Sequence, residues 1–306
     1  MTAATTSRPA AAGAVPDAGA TATANAAPRA EARASRRAAD ASSGAWRRRW
    51  RRFWPPAAAL LLGIALWQLV IVVFDIPGYL LPSPQAFAET LWEQRVAIWE
   101  PTRVTMTAAY LAFLLALVVG VAAALLMARW NLTERALFPY LVIVQTIPIV
   151  AIAPLFVVWI GAGLTTNMLI GAMLAVFPIA ANTLMGLKSV DRNLVQLYAM
   201  AGAPPRVTLF TLRLPGALPS ILTGMRIAAG ASVIGAIVGE FVAGVGGGEG
   251  GLGFILTQSA VQMRISQLFV AAIMASLVSL LLFAAVVLLE RVLLGRWHES
   301  ALPHDD

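Results

Sequence analysis

Few side chains in the apolar stretches of this 306-residue sequence could do chemistry. Gln145, Asn182, Ser232 and Glu240 stand within or at the end of long apolar runs. Each could hydrogen-bond a neighbouring helix or meet a polar solute along a pathway or gate; for Glu240 capping an element or pairing with a loop is the reading set against a gate. Arg226 lies near one end of its run, within reach of lipid headgroups through its flexible stem. The run Gly186-Leu187-Lys188-Ser189 is the nearest approach to a phosphate loop, but it lacks the adjacent Gly-Lys and has Ala181 where the first glycine belongs. Residues 244–253 are glycine-rich without a lysine and read as a flexible loop. There is no cysteine, and the two histidines, His298 and His304, fall in the last residues. The expectation is a chain with no catalytic residue, no metal and no bound cofactor.

The elements that carry these groups are set by composition. Apolar side chains make up 59% and charged ones 12%, with a mean hydropathy of +0.78, against roughly 25% charged in a soluble domain. A membrane helix needs about 20 apolar residues, and the sequence predicts six: residues 55–74, 104–128, 136–160, 165–187, 215–239 and 265–289. The third and fourth come from one uncharged stretch divided at Gly161-Ala162-Gly163. The expected fold is therefore an all-α integral membrane protein over residues 55–295. Along the fifth span Ala231, Gly235, Gly239 and Ala243 recur every fourth position, which lets two helices approach closely, within one chain or at a seam between two.

Charge orients the spans. The formal net charge is +7, and it all lies in residues 1–54, which hold ten arginines and three acids. Residues 1–45, with 19 alanines, lack the apolar bulk to fold and read as a disordered tail. Residues 46–54, Trp-Arg-Arg-Arg-Trp-Arg-Arg-Phe-Trp, could be read as a nucleic-acid patch or a twin-arginine signal. Directly before an apolar run they read better as an anchor to membrane lipids, with no nucleic-acid partner. Further on, the stretch 75–103 is net −2, 129–135 net +1, 188–226 net +4 and 240–264 net −1. The alternation places both termini, including the tail 296–306, and the long loop in the cytoplasm.

That loop, residues 190–214, has the pattern of a docking element. Asp191 suits a helix start, and Val190, Leu194, Leu197, Tyr198 and Ala201 share one helical face. Gly202 can end the helix and Pro204-Pro205 prevents its continuation. A second short helix follows, predicted to stop at Pro215, with Pro219 ahead of the fifth span. Such a hairpin can lie on the membrane surface or present a knob to a cytoplasmic partner.

The same residues resemble a known family. Gly202, nine residues, then Leu212-Arg213-Leu214-Pro215 is similar to the cytoplasmic loop of membrane subunits of bacterial ABC importers, although Gln196-Leu197-Tyr198 stands where the family writes Glu-Ala-Ala. Leu81-Pro82-Ser83-Pro84, Pro154-Leu155, Phe177-Pro178-Ile179, Glu240-Phe241 and Gly251-Leu252-Gly253 follow the nitrate/sulfonate/taurine branch over residues 60–295. Gly235–Phe241 and the missing triplet look closer to permeases for thiamine pyrimidine precursors or riboflavin. The resemblance implies a type I importer permease in the bacterial cell membrane. It implies a second permease chain, two cytoplasmic ATP-binding subunits that use ATP and Mg, and an extracytoplasmic binding protein. Leu194, Gln196, Leu197, Tyr198, Gly202, Leu214 and Pro215 would then couple the chain to its ATPase. The competing expectation is a secondary transporter or channel working without ATP; the sequence offers it neither a mid-span acid nor a repeated half.

Overall fold

A computed structural model describes residues 54–245 and 250–294. The tail 1–45, most of the anchor, the middle of the glycine-rich loop, both histidines and the C-terminal tail lie outside the described residues. The chain divides into two units at residue 69. Helix α1, Trp54–Val73, starts in the first; all further elements belong to the second.

Every regular element among the described residues of the second unit is a helix. Helix α2 (Pro84–Gln94) is capped by Ser83, whose hydroxyl accepts from the Ala86 N–H at 3.1 Å, with Pro84 in the first turn, where its missing N–H costs nothing. Then come α3 (Trp99–Arg129), α4 (Asn131–Thr146), α5 (Ile149–Ile160) and α6 (Leu164–Lys188). Helix α7 (Arg192–Met200) and a helical turn (Pro205–Val207) lead through a six-residue π-helix (Thr208–Arg213) into α8 (Leu214–Val245). Helices α9 (Leu252–Val261) and α10 (Ile265–Leu294) end the described chain.

Five helices (α1, α3, α6, α8 and α10) are long and apolar enough to cross a membrane, and a sixth crossing results if α4 and α5 count as one. This pair departs from the expected straight span at residues 136–160, because it bends by 97° at its break. The cause is local. Pro148 has no N–H to continue α4 and forces Ile147 into an extended conformation (φ −68°, ψ 127°). Pro139, Pro154, Pro178 and Pro219 all remain inside helices.

The core is built on α6 and α8, with α3 and α10 packed around them. Small residues dominate it: Ala108, Ala109 and Ala112 from α3, Ala172 and Ala175 from α6, Ala228, Ala229 and Ala236 from α8. Between apolar helices in lipid there is no hydrophobic gain from association, so close backbone approach and dispersion must supply the attraction. Glycines carry this furthest. A Cβ at Gly235 would lie 2.6 Å from the Cα of Gly171, and one at Gly239 would lie 2.8 Å from Asn167 Oδ1. The small-residue stripe of α8 thus packs within the chain, against α6; Ala231 on the same stripe is only partly buried.

Candidate functional site

The loop between α6 and α8 is built by strong local signals. The Asp191 carboxylate accepts from the Asn193 N–H at 2.8 Å, satisfying an otherwise unpaired donor at the start of α7. The helix ends in a Schellman turn: Ala203 N–H donates to Tyr198 O and Gly202 N–H to Ala199 O, both at 3.0 Å. Gly202 takes φ +71°, which a residue with a Cβ adopts only at a cost. On α7, Leu194, Leu197 and Met200 succeed one another at i,i+3 and are 44%, 54% and 79% exposed. Gln196 is exposed as well, and Tyr198 is half-buried. An amphipathic helix that turns its leucines outward is built to be covered by something else.

Pro215 does not stop the second helix. The expected break is replaced by a continuous helix from Pro205 through Ala243. A proline in an α-helix lacks a donor and its ring clashes with the carbonyl four residues earlier, here that of Thr211. The π-turn relieves both problems by widening the helix just ahead of Pro215: the Leu214 N–H reaches back five residues to Leu209 O. The Thr211 hydroxyl donates to Val207 O at 2.7 Å, adding a bond where the ladder is loose. Leu214 and Pro215 therefore lie inside one continuous helix, Pro205 to Ala243, which follows α7 after the turn at residues 201–204.

Glu240 sits at the other end of α8 and is 2% exposed. Its Oε2 accepts from the Thr105 hydroxyl of α3 (2.7 Å) and from the Gly253 N–H in the first turn of α9 (2.9 Å). Thr105 Oγ1 in turn accepts from the Leu252 N–H at 2.8 Å. Two of the donors that open α9 are thus satisfied by two side chains from two other helices. Gly251 and Gly253 are required here: a Cβ on the first would fall on the Glu240 carboxyl, and one on the second would stand 2.5 Å from Ile237 O. Glu240 Oε1 is buried with no hydrogen-bond partner.

The other polar positions stay apart from this cluster. Asn182 donates to Pro178 O on its own helix (2.8 Å), and buried Ser232 donates to Ala229 O (3.0 Å). Gln145 is exposed beside the α4–α5 break. Arg226 pairs with Glu290 of α10 instead of extending to headgroups. Sequence alone gives no sign of Thr105, Leu252 and Gly253 as partners of Glu240, because a threonine on a long apolar helix carries no signal of what it faces 135 positions away; the paired glycines after Glu240 are the one hint it holds. No three His, Asp or Glu side chains gather as metal ligands would among the described residues.

A bundle of apolar helices long enough to cross a membrane, with an exposed amphipathic helix between α6 and α8, suits a multi-pass membrane protein. Comparison with known proteins agrees: residues 116–297 match the family of binding-protein-dependent transport system inner membrane components. The chain is 36% identical to the formylaminopyrimidine transport permease of Halalkalibacterium halodurans, over 78% of this chain and 94% of that one. It is 34% identical to a probable ABC transporter permease of Haemophilus influenzae (74% and 92%) and 34% identical to the riboflavin transport system permease of Chloroflexus aurantiacus (79% and 89%). The chain belongs to this family: it is a multi-pass protein of the cytoplasmic membrane and the permease subunit of an ABC importer, a system that also comprises an ATPase and a binding protein.

Proposed function

We propose that the chain forms, with a second identical copy, the translocation pathway for a small heterocyclic solute of the vitamin-precursor kind, and that α7 transmits the work of ATP hydrolysis to it. The outward-facing Leu194, Leu197 and Met200 carry the second part. Two cytoplasmic ATPase subunits, one per permease, would each cover this face and hold the ATP and Mg; the chain itself binds no cofactor and catalyses no reaction. Gln196 keeps the hydrogen-bonding length of the glutamate it replaces without its charge. Both termini face the cytoplasm, in accord with the positive sum of residues 188–226. The substrate class rests on the pyrimidine and riboflavin permeases among the relatives; aliphatic sulfonates, named for a relative at 29% identity, are the second choice.

The test is solute-stimulated ATP hydrolysis by the assembled transporter with its cognate binding protein, comparing formylaminopyrimidines, riboflavin and alkanesulfonates. Replacing Leu197 and Tyr198 by glutamate is expected to abolish co-purification of the ATPase; an intact complex after that change would remove α7 from the coupling role. Orientation is read separately. The chain has no cysteine, so a single Met200→Cys reports by labelling in sealed vesicles which side carries α7.

A further inference from the structure

A cleft of about 280 Å³ opens between the end of α3 and the hairpin formed by α7 and the π-turn. Its apolar lining residues include Val195, Ala199 and Leu209, and two arginines, Arg129 and Arg213, line it together with Thr208. Neither arginine has a carboxylate partner among the described residues, in contrast to Lys188 and Arg226, which are both paired. Arg129 leans on the ring of Trp130, 4.9 Å from its centroid. It is also the last residue of a 31-residue apolar helix. An arginine and a tryptophan at the end of a spanning helix lie at headgroup level. Thr208, 9% exposed, lines the same cleft.

We propose that this cleft binds the headgroup of an acidic phospholipid, with the phosphate held by Arg129 and Arg213. Two arginines without carboxylate partners, lining one cleft between helices at the cytoplasmic surface, match a phosphate in charge and in the fork geometry of the guanidinium. The apolar wall beside them suits an amphiphile, which a free anion is not. Val195 and Ala199 lie on a different side of α7 from Leu194 and Leu197, so the lipid and the ATPase use separate faces of one helix. A bound lipid would brace the hairpin against α3, where the protein itself supplies only an open cleft. The inference rests on the cytoplasmic placement of α7 proposed above.

Native mass spectrometry of the intact transporter, exchanged into equal amounts of phosphatidylglycerol and phosphatidylcholine, tests this. Wild type is expected to retain phosphatidylglycerol preferentially. Each basic residue at an anionic surface contributes roughly fivefold in binding, so Arg129→Gln with Arg213→Gln should weaken retention about thirtyfold. Ala199→Trp, which fills the cleft without touching its charge, should do the same, and Arg264→Gln, outside the cleft, should change nothing. No preference in wild type, or retention unaltered in both cleft variants, overturns the proposal. Displacement by millimolar inorganic phosphate as effective as by phosphatidylglycerol vesicles would make the site one for a free anion and overturn it too. A double-arginine variant that keeps the lipid but loses the ATPase would assign the cleft to protein docking instead. Failure of the coupling reading is distinct, since the Leu197 and Tyr198 variant is expected to lose the ATPase and keep the lipid; Met200→Cys labelling reports the orientation independently of either.

Discussion

Replacing Gly251 by alanine, with and without Glu240, isolates the contact that holds α9 in place. Gly251 has φ −84° and ψ −169°, a conformation open to any residue, so an alanine there meets no backbone strain. What it meets is the Glu240 carboxyl, on which its methyl group would fall. Overpacking of this kind costs about 2 kcal/mol, and at roughly 2–4 °C per kcal/mol the midpoint of thermal unfolding should drop by about 4–8 °C. Glu240→Ala alone deletes two hydrogen bonds, leaves the Gly253 N–H unpaired in a buried site and opens a cavity, for about 3 kcal/mol. In that background the methyl of Gly251→Ala enters vacated space, so its cost should vanish or change sign. The coupling between the two changes is then about 2 kcal/mol, read from the midpoints of wild type, both single variants and the double variant in detergent. Equal losses from Gly251→Ala in both backgrounds would refute the reasoning, as would a Glu240→Ala variant as stable as wild type.

Other expectations follow from the same geometry. Gly235→Ala should lower the unfolding midpoint and broaden the monodisperse peak on size exclusion, because its Cβ would stand 2.6 Å from backbone of α6; Gly230→Ala, with nothing within 4 Å, should be neutral or stabilising by up to about 1 kcal/mol. Gly202→Ala also meets no atom within 4 Å, and its cost is conformational, about 1 kcal/mol for φ +71°; hydrogen exchange should show faster opening confined to residues 192–203. Arg226→Leu leaves Glu290 without its partner and should destabilise by about 1–3 kcal/mol, whereas Arg226→Leu with Glu290→Leu should be milder than the single change, as thermal unfolding of the three proteins would report.

Signals that act over a few residues could be read from the sequence. Asp191 and Gly202 bracket α7 because capping depends on neighbours within a turn, and Gly161 and Gly163, at φ +95° and +142°, divide α5 from α6 for the same reason. Prolines were harder. Pro148 breaks a helix, Pro215 follows a widened turn that carries the helix through, and Pro139, Pro154 and Pro178 sit inside α-helices, a difference that residue identity does not reveal. Glu240 was noticeable as an acid at the end of an apolar run, but its donors come from α3 and α9 and depend on helix packing. The stripe of small residues on α8 announced a close approach without naming its partner, since a glycine fits any neighbouring backbone. The sequence places Arg226 within reach of lipid headgroups and gives no sign of its ion pair, because Glu290 lies 64 positions later on another helix.

The continuous helix from Pro205 to Ala243 has a mechanical consequence. At 1.5 Å per residue its 39 residues form a rod about 58 Å long. Its first turn adjoins α7 and its last turns carry the Glu240 carboxyl. Whatever moves that first turn therefore moves the near end of a lever whose far end is bolted to α3 and α9. A tilt of about five degrees pivoting at the first turn sweeps the far end through about 5 Å, more than a hydrogen bond can stretch. The rod must therefore either carry α9 with it as one body or release it, and the π-turn ahead of Pro215 is the only wider-wound stretch among its described residues where some of the motion could be absorbed by twisting.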